Sequence, residues 1–161
     1  MARKFLKIAL VFVVVALAGC QTTTDYYLGA RASGGTIARI PATDESGLHW
    51  QDLYLSVDYA LARQGDRLAL SGTFTFANSP RFVYKRVYDM KLKFFLLDAA
   101  NRVVAYRDVG RTLTHGLEDE TRIKGEFTLP ASAVAYTFGY EGSFIGDEED
   151  GYHVWKLPQR D

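Results

Sequence analysis

Leu53-Tyr54-Leu55-Ser56-Val57-Asp58-Tyr59-Ala60-Leu61, followed after Gln64-Gly65 by Leu68-Ala69-Leu70-Ser71-Gly72-Thr73-Phe74-Thr75-Phe76, is the stretch that decides the fold. Leu53, Leu55, Val57, Tyr59 and Leu61 occupy every second position, as do Leu68, Leu70, Gly72, Phe74 and Phe76. Side chains alternate across a strand, so each run has one apolar and one polar face. Gln64-Gly65 reads as the tight hairpin between them. The same period continues through Met90, Leu92, Phe94 and Leu96, through Thr121, Ile123, Gly125, Phe127 and Leu129, and through Tyr136, Phe138, Tyr140 and Phe144. Asp98-Ala99-Ala100-Asn101 is a second hairpin loop, with Asn101 suited to a left-handed backbone. Residues 116–120 are turn-like, Pro130 closes the strand before it, and residues 146–151 separate the last two strands. No sustained helical stripe interrupts the pattern; residues 131–135 offer one helical turn at most. Seven or eight antiparallel strands therefore pack as an all-β, two-sheet sandwich, because each sheet must bury its apolar face. A small closed β-barrel is the alternative.

The chain has 161 residues, room for one domain plus a tether. Hydrophobic residues at 48% and aromatics at 14% exclude a wholly disordered chain. Nineteen Lys and Arg balance nineteen Asp and Glu, so there is no basic field of the kind nucleic-acid binders use. One cysteine excludes an internal disulfide and the multi-cysteine zinc frameworks.

The first nineteen residues stand apart from the fold. Arg3, Lys4 and Lys7 precede an unbroken apolar run at residues 8–18, IALVFVVVALA. A charged start and an apolar stretch of this length read as a secretory signal, too short for a comfortable membrane span. The run ends in Leu17-Ala18-Gly19-Cys20, which resembles the lipobox of bacterial lipoproteins. That resemblance implies cleavage between Gly19 and Cys20 and a diacylglycerol thioether on Cys20, so the protein is expected on a membrane through its lipid. Each buried CH₂ contributes about 0.8 kcal/mol and one chain holds only marginally, so two or three chains make a lasting anchor. Cleavage removes three cations from the balance and leaves a formal charge of −3. Gln21, where retained lipoproteins carry Asp, implies an outer-membrane protein facing the periplasm if the cell has two membranes.

Residues 20–47 read as a lipidated tether, holding Thr22-Thr23-Thr24, Gly29, Ser33-Gly34-Gly35 and Pro41. Tyr26, Tyr27 and Ile37 suggest that it docks on the body; residues 36–40 could instead add an edge strand. The sandwich itself is assigned to residues 48–161. Within it, Phe94-Phe95-Leu96-Leu97-Asp98 with Val103-Val104 is similar to the F-x-L-Y-D signature of a family of small bacterial envelope domains. The resemblance spans residues 68–144 and implies an Ig-like sandwich in the cell envelope, with no catalytic residues. Leu97 stands where that family has Tyr, and Ala99-Ala100-Asn101 replaces its usual Gly.

Chemistry is sparse. His49, His115 and His153 are scattered, at a strand edge, in a loop and in the last strand, without HxH or HExxH spacing. Cys20 is committed to lipid, no G-x-S-x-G elbow occurs, and Ser143 lies in no sharp turn. Neither a catalytic residue, a metal site nor a cofactor is implied; an enzyme would need two histidines and a carboxylate such as Asp58 or Glu118 to converge. Asp147-Glu148-Glu149-Asp150 reads as a solvated hairpin tip. The stretch Arg81-Phe82-Val83-Tyr84-Lys85-Arg86-Val87-Tyr88, with Lys91 and Lys93, interleaves cations and aromatics along an extended segment. Arg81, Tyr84, Lys85, Arg86, Tyr88, Lys91 and Lys93 are thus candidates to bind anionic glycan or lipid headgroups. The principal expectation is a non-catalytic lipoprotein of the envelope that serves a protein partner or a structural role, with strand addition at an exposed sheet edge as the expected mode of contact.

Overall fold

The computed structural model describes residues 26–32, 36–146 and 151–160. The expected signal sequence with Gly19, the expected lipidation site Cys20, Gln21, residues 33–35 and the acidic run at 147–150 lie outside the described residues. Among the described residues, nine strands and one short helix follow in order: β1 Ala38–Arg39, β2 Glu45–Gln51, β3 Leu55–Gln64, β4 Arg67–Phe76, α1 Asn78–Val83, β5 Arg86–Leu97, β6 Val103–Gly116, β7 Thr121–Thr128, β8 Ala135–Ile145 and β9 Gly151–Lys156. Sheet I runs β1-β8-β5-β6, with β9 also on β8; sheet II runs β2-β3-β4-β7. All pairings are antiparallel. The sheets pack face to face as a sandwich and do not close into a barrel.

The alternation places the core where the sequence puts it. Leu55, Val57, Tyr59 and Leu61 of β3 and Leu68, Leu70, Phe74 and Phe76 of β4 are buried, facing Met90, Leu92, Phe94, Leu96, Tyr136, Phe138, Tyr140 and Phe144 of sheet I. Burying each such side chain is worth about 1.5–3 kcal/mol. Phe94 is a hub: its ring lies 5.0–5.1 Å from those of Phe127, Tyr136 and Phe138. Leu53, at the head of the first run, is exposed because β3 begins two residues later.

Turns follow their side chains, with one shift. The β3–β4 loop is Gly65-Asp66, since Gln64 and Arg67 already pair. Gly65 takes φ 62°, as the first loop position of such a turn requires. Asn101 adopts φ 60° as its type allows, and the Asp98 carboxylate accepts from the amides of Ala100 and Arg102.

Three expectations are corrected. The helical turn falls at α1 rather than at residues 131–135, where a simple turn closes from Ala133 N to Pro130 O. Six residues are too few to show a stripe, and Pro80 sits early in the helix, where its missing N–H costs nothing. His115 lies in β6, opposite Val87, rather than in a loop. The third concerns the strand count. Nine strands stand against seven or eight, because β1 and β2 both begin before residue 48. Short β1 pairs with the start of β8, and residues 29–32 hydrogen-bond to the β5–β6 turn and the C-terminal tail.

Candidate functional site

The outer face of sheet I gathers most of the residues singled out above. Strand phase gives it Lys91, Lys93, Phe95 and Leu97 from β5, and an irregularity at Asp89 adds Tyr88. One half is roofed. Phe95, Leu97, Val103 and Ala135 are buried with Ala32 in a second small core, against which Tyr27, Ile37, Tyr106 and Leu157 pack. The Tyr27 ring stands edge-on to Phe95 at 5.5 Å and to Tyr106 at 5.1 Å. Backbone bonds fasten this roof: Gly29 N to Val103 O at 2.9 Å, Ala32 N to Asn101 O at 2.9 Å, and Arg31 N to Gln159 O at 2.7 Å.

At the edge of the roof lies Lys93, whose side chain is only 8% exposed. Its ammonium donates to Asp108 at 2.7 Å, lies 3.3 Å from Glu141 and sits 5.9 Å from the Tyr27 ring centre. Burial works against its charge, but Asp108 and Glu141 outweigh that and hold its pKa above the ordinary lysine value. Beyond it, Asp89 adopts φ 48°, accepts from Arg111 Nε at 2.7 Å and lies 3.6 Å from Lys91. The irregularity at Asp89 lets Tyr88 and Lys91 share the outer face although three positions separate them. The Arg111 hydrogen bond, helped by Lys91, holds the Asp89 carboxyl below its usual range.

The predicted basic strand is therefore not one continuous extended surface. Arg81 belongs to α1, where its Nε donates to Phe76 O at 2.8 Å and its Nη1 to Glu118 at 2.8 Å. Tyr84 stacks on Phe144 at 4.9 Å and is half-buried, so its ring serves packing. Lys85, Arg86 and Tyr88 are exposed, while Lys91 and Lys93 are held by carboxylates. The segment changes direction at α1 because Asn78 and Pro80 favour a turn of helix there.

His49 and His153 lie on different sheets. His49 Nδ1 on β2 donates to the Asp58 carboxylate at 2.7 Å on sheet II, and this hydrogen bond raises the His49 pKa above 6.5. His153 lies on sheet I, with Nδ1 3.4 Å from Ser143 Oγ.

Two of the concavities among the described residues carry both aromatic and charged side chains in their lining. One, of about 790 Å³, is lined by Tyr26, Tyr27, Glu141, Trp155, Leu157 and Arg160 at the roof of sheet I. Its lining comes from both ends of the described chain, which periodicity could not bring together. The other, of about 460 Å³, opens on sheet II between Ala62, Gln64, Arg67, Ala69, Arg107 and Glu126. Small side chains floor it and charged ones ring it. The Arg107 guanidinium lies 6.0 Å from the Phe127 ring centre beside it.

Three of the sheet edges, β6, β7 and β2, are blunted. Strand β6 carries Arg107, Asp108 and Arg111 and its pairing with β5 shifts register twice; β7 carries Arg122, Lys124 and Glu126; β2 is interrupted at Gly47, φ 69°. Charges and bulges on an edge oppose strand addition. No protein-family model matches the chain, and comparison with curated proteins and with solved structures gives no significant match.

Proposed function

We propose that this chain is a lipid-anchored module of the bacterial cell envelope that works without catalysis and docks a protein partner on sheet II. The membrane assignment rests on Leu17-Ala18-Gly19-Cys20 behind its charged and apolar leader. The partner surface rests on one observation: the depression between Ala62 and Ala69 opens on the face opposite the roof formed by residues 26–32. Small residues in the floor let another surface approach closely, and Arg67 and Arg107 on the rim belong to a residue type enriched in protein interfaces. Blunted edges favour this face over strand addition. A polyanion site on the Arg81–Lys93 stretch is less favoured, because Arg81, Lys91 and Lys93 already face Glu118, Asp89, Asp108 and Glu141.

The test uses the full chain in a bacterial host, with a photo-crosslinking residue at position 69 and, as control, at Tyr88. A discrete adduct from position 69 that Ala62→Arg abolishes, with folding intact, supports the reading. Cosedimentation with anionic cell-wall polymer that Lys85→Glu and Arg86→Glu abolish, and no adduct from position 69, would replace it with the polyanion reading.

A further inference from the structure

We infer that the rim of the 790 Å³ cleft, formed by Tyr26 and Trp155, seats in the headgroup zone of the membrane that holds the anchor. The inference rests on lipidation of Cys20. Five residues separate Cys20 from Tyr26. Fully extended, that length of chain reaches about 20 Å, so the body enters within a headgroup layer's distance of the lipid. The entry point is no loose tether either. Residues 29–32 are stitched to Asn101, Val103 and Gln159 by backbone hydrogen bonds, so a pull on Tyr26 acts directly on sheet I.

What stands exposed at that entry point fits a lipid surface. Tyr26 is 73% exposed and Trp155 55% exposed, although both are large and largely apolar. Tyrosine and tryptophan are the side chains that settle at the membrane–water boundary, with an apolar ring on one side and a polar tip on the other. The Arg160 guanidinium lies 5.9 Å from the Tyr26 ring centre, placing a cation at the same rim. Glu141, which also lines the cleft, faces the Lys93 ammonium at 3.3 Å, so its charge is opposed within the protein. The occupant is thus a phospholipid surface. Sheet II and its depression then point away from the bilayer.

The chain has two tryptophans, Trp50 buried at 5% exposure and Trp155, so their emissions are separable. Full-length protein purified from bacterial membranes is reconstituted in phosphatidylethanolamine–phosphatidylglycerol vesicles carrying bromine near the top of the acyl chains. The expected result is quenching of a blue-shifted component that W155F removes, with Trp50 emission unchanged. Lipid on Cys20 by mass spectrometry together with an unquenched, red-shifted Trp155 overturns this inference and leaves the anchor standing. Trp155 shielded from aqueous quencher but untouched by bromine means a protein covers the rim, and also overturns it. An unmodified Cys20 overturns the anchor, and the seating with it.

Discussion

The hydroxyls of Tyr59 and Tyr136 meet at 2.9 Å in the interior of the sandwich, one from each sheet. Burial raises the pKa of both, so each stays neutral and the pair is a plain hydrogen bond that aligns β3 with β8. Removing one hydroxyl leaves the other buried without its partner. Tyr59→Phe or Tyr136→Phe alone should each cost about 1–2 kcal/mol, while the double variant should lie closer to wild type than the two costs added. Urea unfolding of the four proteins checks this; strict additivity would dissociate the pair.

Tyr27 tests whether the segment before β1 belongs to the body. Its ring packs on Phe95 and Tyr106 and covers Lys93. Tyr27→Ala should lower stability by about 2 kcal/mol and raise hydrogen exchange in β5 near Phe95. A loose tether would show no change in either.

Asp89 combines a left-handed backbone with a pair to Arg111. Asparagine tolerates that backbone and alanine does not. Asp89→Asn should cost under about 1 kcal/mol, the worth of an exposed ion pair. Asp89→Ala should cost about 1 kcal/mol more, read from the shift in denaturation midpoint.

The pair of His49 and Asp58 gives a pH signature. The hydrogen bond to Asp58 raises the folded pKa above 6.5. A raised folded value means that the contribution is complete below pH 6.5 and fades as pH climbs through the folded pKa. NMR titration should find His49 above 6.5, and Asp58→Asn should return it toward that value. The accompanying loss of stability between weakly acidic and mildly alkaline pH should be small, because both side chains are exposed.

Much of the body is legible from its period. Leu55 to Leu61 and Leu68 to Phe76 alternate because one face is buried and the other wet, and Gly65 and Asn101 mark the loops that need positive φ. Two things read less well. The cations of residues 81–93 were separable from their counter-charges only in sequence, since Glu118 and Asp108 come from other elements. Trp155 and Tyr26 are 129 positions apart and share a cleft only because both chain ends cross the same face.

By itself, the sequence determined the strand periods and the inward faces, since these are local properties of neighbouring residues. Tertiary structure alone decided that Phe95, Leu97 and Lys93, on the face that strand phase leaves outward, are covered. Their cover comes from Tyr27 and the C-terminal tail, and such a contact is set by chain topology and by the gain from burying a second apolar surface. No two-residue period records it.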